Sequence, residues 1–279
     1  MTGLPTYQYL APEQFTLSDD EFARVGKLLH TRSGILLGDH KRELAARMLG
    51  TRARKKGFSG AAEYLAHLQQ DAQSTEWNAF VNAFTINHTA FFREQHHFKI
   101  LADFARTRKG PLSVWCCAAS TGEEPYSIAI TLLEEAGPTQ AKPSVWATDI
   151  DTQAIEKARK GVYTFERAKP IPEALMKKYF FRGKSSKSGL VRVKPILHDV
   201  VQFETLNLVA PTWPTTEKFD AIFCRNTMIY FDKPTQTRIL ERFAPMLKPG
   251  GLVFAGHSEN FTYLTKAFRL RGQTVYTLA

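Results

Sequence analysis

From residue 113 onward, short apolar runs alternate with helical patterns, and no other feature limits the possible folds of this chain as strongly. The runs are residues 113–118, 144–149, 200–206, 221–224 and 252–256, with helical spacing between most of them. Apolar runs of strand length joined by helices specify an open, mostly parallel α/β sheet with crossover connections. Residues 267–271 and 273–278, joined at Gly272, read as a closing hairpin. One segment interrupts the alternation. Tyr179-Phe180-Phe181 and Leu190-Val191-Arg192-Val193 flank a polar loop at 182–189 and, with residues 196–198, predict a small antiparallel insertion.

The first third has a different rhythm. Ser18-Asp19-Asp20-Glu21 is an N-cap followed by first-turn acids, and Phe22, Val25, Leu28 and Leu29 recur at helical spacing. A second helix, capped at Asp39, carries Leu44, Met48 and Leu49 on its apolar face. It also carries Lys41, Arg42, Arg47, Arg52, Arg54, Lys55 and Lys56 against one acid, Glu43, before Gly57 ends it. Ser59-Gly60 opens a third helix through Tyr64, Leu65 and Leu68. Trp77, Phe80, Val81 and Phe84 mark a fourth. No strand signal precedes residue 112 and no internal repeat is visible.

Composition narrows the function classes. No stretch of about 18 apolar residues occurs, so no membrane insertion is expected. The opening MTGLPTYQYLAPEQF lacks the basic and apolar regions of a secretory signal. Cys116, Cys117 and Cys224 show no metal or redox spacing and read as reduced core residues of a cytoplasmic protein. His96-His97 has no third ligand at a suitable spacing, so no metal is expected. The net charge of +10 favours an acidic partner.

The loop Ala118-Ala119-Ser120-Thr121-Gly122-Glu123-Glu124-Pro125-Tyr126-Ser127 stands where a dinucleotide fold places glycines against a pyrophosphate. Here one glycine is accompanied by two adjacent carboxylates, which repel phosphate. They suit a cationic ligand without phosphate, such as S-adenosylmethionine with its sulfonium and ammonium, or they complement the helix dipole. The next strand ends Trp146-Ala147-Thr148-Asp149-Ile150-Asp151. An acid there grips an adenosine ribose; Asp149 ends the apolar run, whereas Asp151 caps the following helix. A later strand runs into Arg225-Asn226, which would face a pocket at the carboxyl ends of the strands, and Leu247-Lys248-Pro249-Gly250-Gly251 turns into the next. In this order the features resemble the Rossmann-like S-adenosylmethionine methyltransferases.

Longer motifs sharpen the resemblance. Asn87-His88-Thr89-Ala90-Phe91-Phe92-Arg93-Glu94-Gln95-His96-His97-Phe98 precedes the sheet. The segment Phe219 to Asp232, with Cys224-Arg225-Asn226-Thr227-Met228-Ile229-Tyr230 at its centre, and Gly256-His257-Ser258-Glu259-Asn260-Phe261 follow. With the 118–127 loop, these are similar to the CheR family, the chemoreceptor glutamate O-methyltransferases of bacterial chemotaxis, over nearly the whole chain. The resemblance implies an all-α N-terminal domain at 1–85, a linker at 86–111 that contributes to the cofactor site, and a methyltransferase domain at 112–279 with a β-subdomain near 179–198. It implies cofactor contacts from Asn87, Thr89, Arg93, Ala118, Glu124, Asp149, Asn207, Leu208, Arg225 and Asn226. Glu124 is preferred to Glu123 because the family's contact maps onto the second glutamate. Phe91 and Phe92 read as packing between domains.

The reaction that the resemblance implies is a displacement in which a receptor glutamate oxygen attacks the methyl carbon, leaving S-adenosylhomocysteine. A carboxylate is already ionised at neutral pH, so no general base is required. Charge disappears along the path, so a dry pocket favours the transition state, and an arginine clamped on the attacking carboxylate would oppose it. Arg93 is therefore assigned to holding the cofactor or orienting substrate, and Tyr230 to aligning the incoming carboxylate. Arg47, Arg52 and Arg54 on the basic second helix are candidates for docking to the acid-rich receptor bundle. Family members can also bind a receptor C-terminal peptide by adding a strand to the insertion. A nucleic-acid methyltransferase would carry an Asn-Pro-Pro-Tyr type motif where this chain has Cys224-Arg225-Asn226-Thr227, so nucleic acid is not an expected partner. A cofactor-binding module without turnover is the other alternative.

Overall fold

The computed structural model describes residues 15–137 and 141–279. The opening segment read for a secretory signal therefore lies, up to residue 14, outside the described residues. The chain forms two compact units. One takes in the helices up to Phe84, and the other takes in Thr85–Ala279 together with the short segment Ser33–Leu36.

The first unit is helical. α1 (Asp19–Ser33) begins with a reciprocal cap: Ser18 N–H donates to Glu21 Oε2 at 2.9 Å, and Glu21 N–H donates to Ser18 Oγ at 3.2 Å. α2 (Arg42–Lys55) is preceded by a 3₁₀ turn at Asp39–Lys41, so Asp39 opens that turn and does not cap α2 with its side chain. Gly57, at φ +80°, ends it where a side chain would be strained. α3 (Ala61–Gln70) and α4 (Glu76–Phe84) bury Tyr64, Leu65, Leu68, Trp77, Phe80 and Val81, as periodicity predicts; Phe84, the last residue of α4, is only half-buried.

The second unit begins with α5 (Gln95–Arg106), which packs on α6 (Glu123–Glu135), so much of the segment read as a linker is helix. Its strands are β1 (Ser113–Cys116), β2 (Ser144–Asp149), β6 (Val201–Thr205), β7 (Phe219–Cys224), β8 (Leu247–Ala255), β9 (Phe268–Gly272) and β10 (Val275–Leu278). They form one sheet in the order β6-β2-β1-β7-β8-β10-β9, parallel from β6 to β8 and antiparallel through the last hairpin. The sheet begins at β1, builds outward to β2 and β6, then continues on the other side of β1 with β7 and β8. The strand order thus reverses between β1 and β7, the position at which open α/β sheets bind ligands beyond the carboxyl ends of the strands.

Strand alternation separates two cores. Cys116 belongs with Phe98, Ile128 and Phe223 on one face. Cys117 belongs with Trp115, Ile239 and Phe243 on the other, the last two from α11 (Lys233–Phe243). Trp115 is fully buried and satisfies its indole N–H on Thr148 Oγ1 at 2.9 Å.

The insertion differs in part from expectation. After α7 (Thr152–Lys160) come β3 (Val162–Thr164), α8 (Phe165–Ala168), α9 (Glu173–Tyr179), β4 (Phe180–Arg182) and β5 (Leu190–Val193). The small antiparallel sheet has the order β3-β5-β4. Residues 196–198 are not its third strand but belong to α10 (Pro195–His198), which Pro195 opens at the first helical position. Val162–Thr164, only three residues long, fills the place instead. Phe91 packs edge-on against Tyr163 and Phe180, inside this unit and not between two domains.

Candidate functional site

Five chain segments leave the carboxyl ends of the parallel strands, and nearly all the residues singled out from sequence stand on them or on the 87–93 segment. Ala118 follows β1, Asp149 ends β2, Asn207 and Leu208 follow β6, Arg225 and Asn226 follow β7, and Gly256 follows β8. Their convergence is a consequence of parallel topology: every such strand points its carboxyl end the same way.

The β1 loop is held from two sides. Gly122 takes φ +98°, and a Cβ there would lie 2.7 Å from Tyr163 Oη, so glycine is required for this turn. Asp149 Oδ2 accepts from Ser120 N at 2.7 Å and Oδ1 from Asp151 N at 2.9 Å. Each oxygen keeps capacity for a further donor, and the side chain is half-buried, as a ribose site requires. Burial pushes the Asp149 carboxyl up to about 6, against the pull of the backbone N–H groups. Asp151 caps α7, accepting from Gln153 N and Ala154 N, and its other oxygen takes Thr85 Oγ1 and Asn87 Nδ2, both at 2.6 Å. Asn87 Oδ1 accepts in turn from Ser120 Oγ at 2.9 Å. Asp151 therefore ties the 85–87 segment to the sheet, a role its capping signal did not disclose.

The two adjacent glutamates diverge, because successive helix positions face about 100° apart. Glu123 is buried against Arg167, with Nη2 at 2.5 Å from Oε1, and accepts from Thr121 Oγ1. Glu124 turns the other way, toward Arg225, whose Nη1 donates at 2.7 Å. The Arg225 side chain is fully buried. It also donates to Arg93 O at 2.6 Å and lies 3.3 Å from Glu94 Oε2. It thus orients Glu124 and the 93–94 backbone, and what it can offer a ligand directly is its main chain. Burial raises the Glu124 carboxyl although Arg225 opposes the shift.

Arg93 and Tyr230 come near the same place. Arg93 Nη1 donates to His88 O at 3.0 Å, and its charge acts on both Glu124 and Tyr230. Burial raises the Tyr230 phenol, Arg93 opposes it, and the phenol stays protonated near neutral pH. The backbone carbonyl of Tyr230 accepts from Leu36 N at 2.9 Å. Thr89 is half-buried on the 87–93 segment; Leu208 is buried beside Asn207, whose Oδ1 accepts from Val209 N at 3.1 Å.

Glu94, His96 and His97 place potential ligand atoms within 4.8 Å of one another. The fixed charge of Arg225 on the same Glu94 oxygen weighs against a metal there. His97 Nε2–H faces two acceptors, Gln273 O at 2.9 Å and Thr274 Oγ1 at 3.1 Å, which assigns the proton to that nitrogen. Burial pushes this ring down to about 4, so it is neutral. Its hydrogen bonds steady the β9–β10 turn, where Gln273 and Thr274 both take positive φ.

Sequence reasoning missed Glu94 and Glu259. Each lies inside a longer motif without a signal of its own beyond, for Glu259, its place just past the end of β8. Of the proposed docking residues, Arg47 and Arg54 are exposed, whereas Arg52 turns inward. Its guanidinium lies 2.5 Å from the buried carboxylate of Glu76, which also takes Lys56 at 3.1 Å and the Tyr64 hydroxyl at 2.8 Å.

A parallel sheet whose strand order reverses between β1 and β7, with Asp149 at the end of β2, a buried Glu124 in the first turn of α6 and no phosphate-binding glycine run after β1, has the layout of the doubly wound α/β folds that bind nucleosides. Residues 87–277 match the family described as CheR methyltransferase, SAM binding domain, and residues 20–85 match CheR methyltransferase, all-alpha domain. The chain belongs to the CheR methyltransferase family. It is 54 % identical to the chemotaxis protein methyltransferase of Klebsiella aerogenes over 95 % of this chain and 92 % of that protein. It is 51 % identical to that of Escherichia coli, over 96 % and 93 %. It is 47 % identical to chemotaxis protein methyltransferase 2 of Pseudomonas aeruginosa, over 96 % of each. The chain is a methyltransferase that uses S-adenosylmethionine. Among the described residues, no helix is long and apolar enough to cross a membrane.

Proposed function

We propose that the chain methylates glutamate side chains in the cytoplasmic helical bundle of chemoreceptors, giving methyl esters and S-adenosylhomocysteine. What supports this reading is that Asp149, Glu124 and Asn226 stand at or just beyond the carboxyl ends of β2, β1 and β7, about the reversal of strand order. Tyr230 lies on the segment after β7, and the Arg93 carbonyl accepts from Arg225 there. The buried, neutral His97 is engaged with Gln273 and Thr274. An acceptor that is already a carboxylate needs no base.

S-adenosylmethionine, when bound, supplies an electrophilic methyl group on a sulfonium. Asp149 would accept from the ribose hydroxyls, Leu208 and Asn207 would flank the adenine, and Glu124 would provide the negative charge that complements the ligand's cations. Asn87, Thr89, Ala118, the Arg225 backbone and Asn226 would complete the enclosure. Arg93 would hold the ligand carboxylate, and the protonated Tyr230 would donate to the incoming glutamate and set its angle. Excluding water from this site favours a step in which opposite charges vanish.

Arg47 and Arg54, exposed on α2, would steer an acidic receptor bundle. Arg52 is assigned to Glu76 and drops out of that role. The edges of the β3-β5-β4 sheet would take a receptor peptide as an added strand.

The test is transfer of labelled methyl to receptor-containing membranes, scored as methanol released by mild alkali. Alkali-labile label on receptor bands is the expected result. Label that resists alkali would assign a different acceptor atom, and transfer to nucleic acid would overturn the reading.

A further inference from the structure

Glu259 is 5 % exposed, and its carboxylate takes four backbone N–H groups. Oε1 accepts from Thr227 N at 2.9 Å and Met228 N at 2.7 Å. Oε2 accepts from Asn226 N at 2.8 Å and Gly256 N at 2.6 Å. Among the described residues, no lysine or arginine side chain pairs with it. Three successive amides at 226–228 form a small anion-binding concavity, and the protein fills it with its own side chain.

The segment so held carries both ends of the proposed chemistry. Asn226 stands at one end, and Tyr230 closes the 3₁₀ turn Met228–Tyr230 at the other. Asn226 has φ +56°, in the left-handed region that asparagine enters more readily than most side chains, so the turn itself is local while its placement depends on what holds the amides. Gly256 fits the same arrangement. A Cβ there would lie 2.8 Å from Asn226 N and 2.9 Å from Glu259 Oε2, so the chain leaves room for the carboxylate to reach the loop.

We propose that Glu259 is a positioning residue for methyl transfer, fixing Asn226 and Tyr230 in register with each other through the backbone. This inference rests on the methyltransferase reading. It concerns a residue that touches neither ligand nor acceptor. A buried carboxylate is costly unless fully hydrogen-bonded, and an apolar residue would fill the space more cheaply. What an apolar residue cannot do is satisfy four converging donors. Burial raises the Glu259 carboxyl, while the four N–H groups pull it back and leave no acceptor toward which a proton could point.

The test is Glu259→Gln, which keeps the shape but offers one acceptor oxygen for two pairs of donors. Two readouts are taken well below the unfolding midpoint: the Kd for S-adenosylhomocysteine by calorimetry, and kcat for receptor methylation at saturating cofactor. Both are expected to worsen by about tenfold or more, since two charge-assisted hydrogen bonds are lost. Combining E259Q with Tyr230→Phe should then cost little beyond E259Q alone in kcat, because the tyrosine would already be out of register. Wild-type Kd and kcat with only a lowered Tm, or fully additive effects of the two changes, would overturn the proposal. If E259Q does not fold, Glu259→Asp, shorter by one methylene, is read in the same assays. Failure of the methyltransferase reading itself would show separately, as no transfer by the unaltered protein.

Discussion

Two arginine clusters, one in each unit, use the same residue types in opposite proportion. In the helical unit one acid, Glu76, receives Arg52, Lys56 and the Tyr64 hydroxyl. In the sheet unit one arginine, Arg225, faces two acids, Glu124 at 2.7 Å and Glu94 at 3.3 Å. Burial alone would raise the Glu76 carboxyl, but its partners more than offset this and hold it below the usual range. The Glu94 carboxyl is likewise held low, against burial, by Arg225 and His257. Glu124 stays raised. The first cluster gives its one acid two cations and a hydroxyl. The second sets two acids on one arginine, with Arg93 acting on Glu124 and His257 on Glu94. Under the proposed function the acid-rich cluster is where the cations of the ligand would be met, and the cation-rich one is structural.

Removing the central cation should separate the clusters most sharply. Arg225→Met strips the buried Glu124 of its ion-pair partner and leaves the partly buried Glu94 with its His257 contact. A loss of about 3–5 kcal/mol is expected by chemical denaturation, together with loss of cofactor binding. Glu76→Gln should cost about 2–3 kcal/mol of stability, because hydrogen bonds from charged partners are lost, while methylation by the folded protein stays intact. A fall in kcat under fully folding conditions would break the comparison. The stability due to Glu76 is present above its unfolded pKa of about 4.3 and is lost as pH falls through the lower folded value. The Gln variant should therefore show a flatter acid limb in denaturation against pH.

Asp149→Asn tests the ligand side. Affinity for S-adenosylhomocysteine should fall by about 1.5–3 kcal/mol, with little change in Tm at pH 7.5, because the relief of a buried charge is offset by one backbone N–H, of Ser120 or Asp151, losing its acceptor. The relief follows from the raised pKa: ionising Asp149 in the fold costs stability above its unfolded value, and asparagine removes that cost. In the unaltered protein, titration calorimetry should show affinity weakening as pH drops through about 6, where the acceptor becomes protonated. Glu124→Gln sharpens the charge argument. It should reduce affinity for cationic S-adenosylmethionine about tenfold more than for the neutral thioether product. Equal losses would mean that Glu124 acts by shape and not by charge. The smallest effect belongs to the exposed cations of α2. Arg47→Ala and Arg54→Ala should each weaken receptor binding by about 0.2–1 kcal/mol at low salt and by less at high salt. Unchanged affinity at low salt would remove α2 from docking.

Much of the site was legible because its signals are local or follow from topology. Asp149 ends an apolar run and Asn226 follows one, and parallel strands bring such positions together whatever lies between. The loop pair Glu123-Glu124 was legible as unusual, but not its division of labour, since each glutamate meets an arginine far away in sequence, Arg167 or Arg225. Glu259 was hidden because its partners are backbone N–H groups, which have no identity in a sequence.

The sequence by itself determined the alternation that makes the sheet, the Ser18 and Asp151 caps, the stop at Gly57 and the acids at the strand ends. These depend on neighbours within a few residues, where spacing and side-chain type suffice. Only the tertiary structure decided that Val162–Thr164 completes the small sheet in place of residues 196–198. It alone turned Arg52 inward, buried Arg225 between two acids and brought Glu259 to the 226–228 amides. Each of these depends on where a distant segment returns, and on the cost of leaving a buried charge or strand edge without its partner.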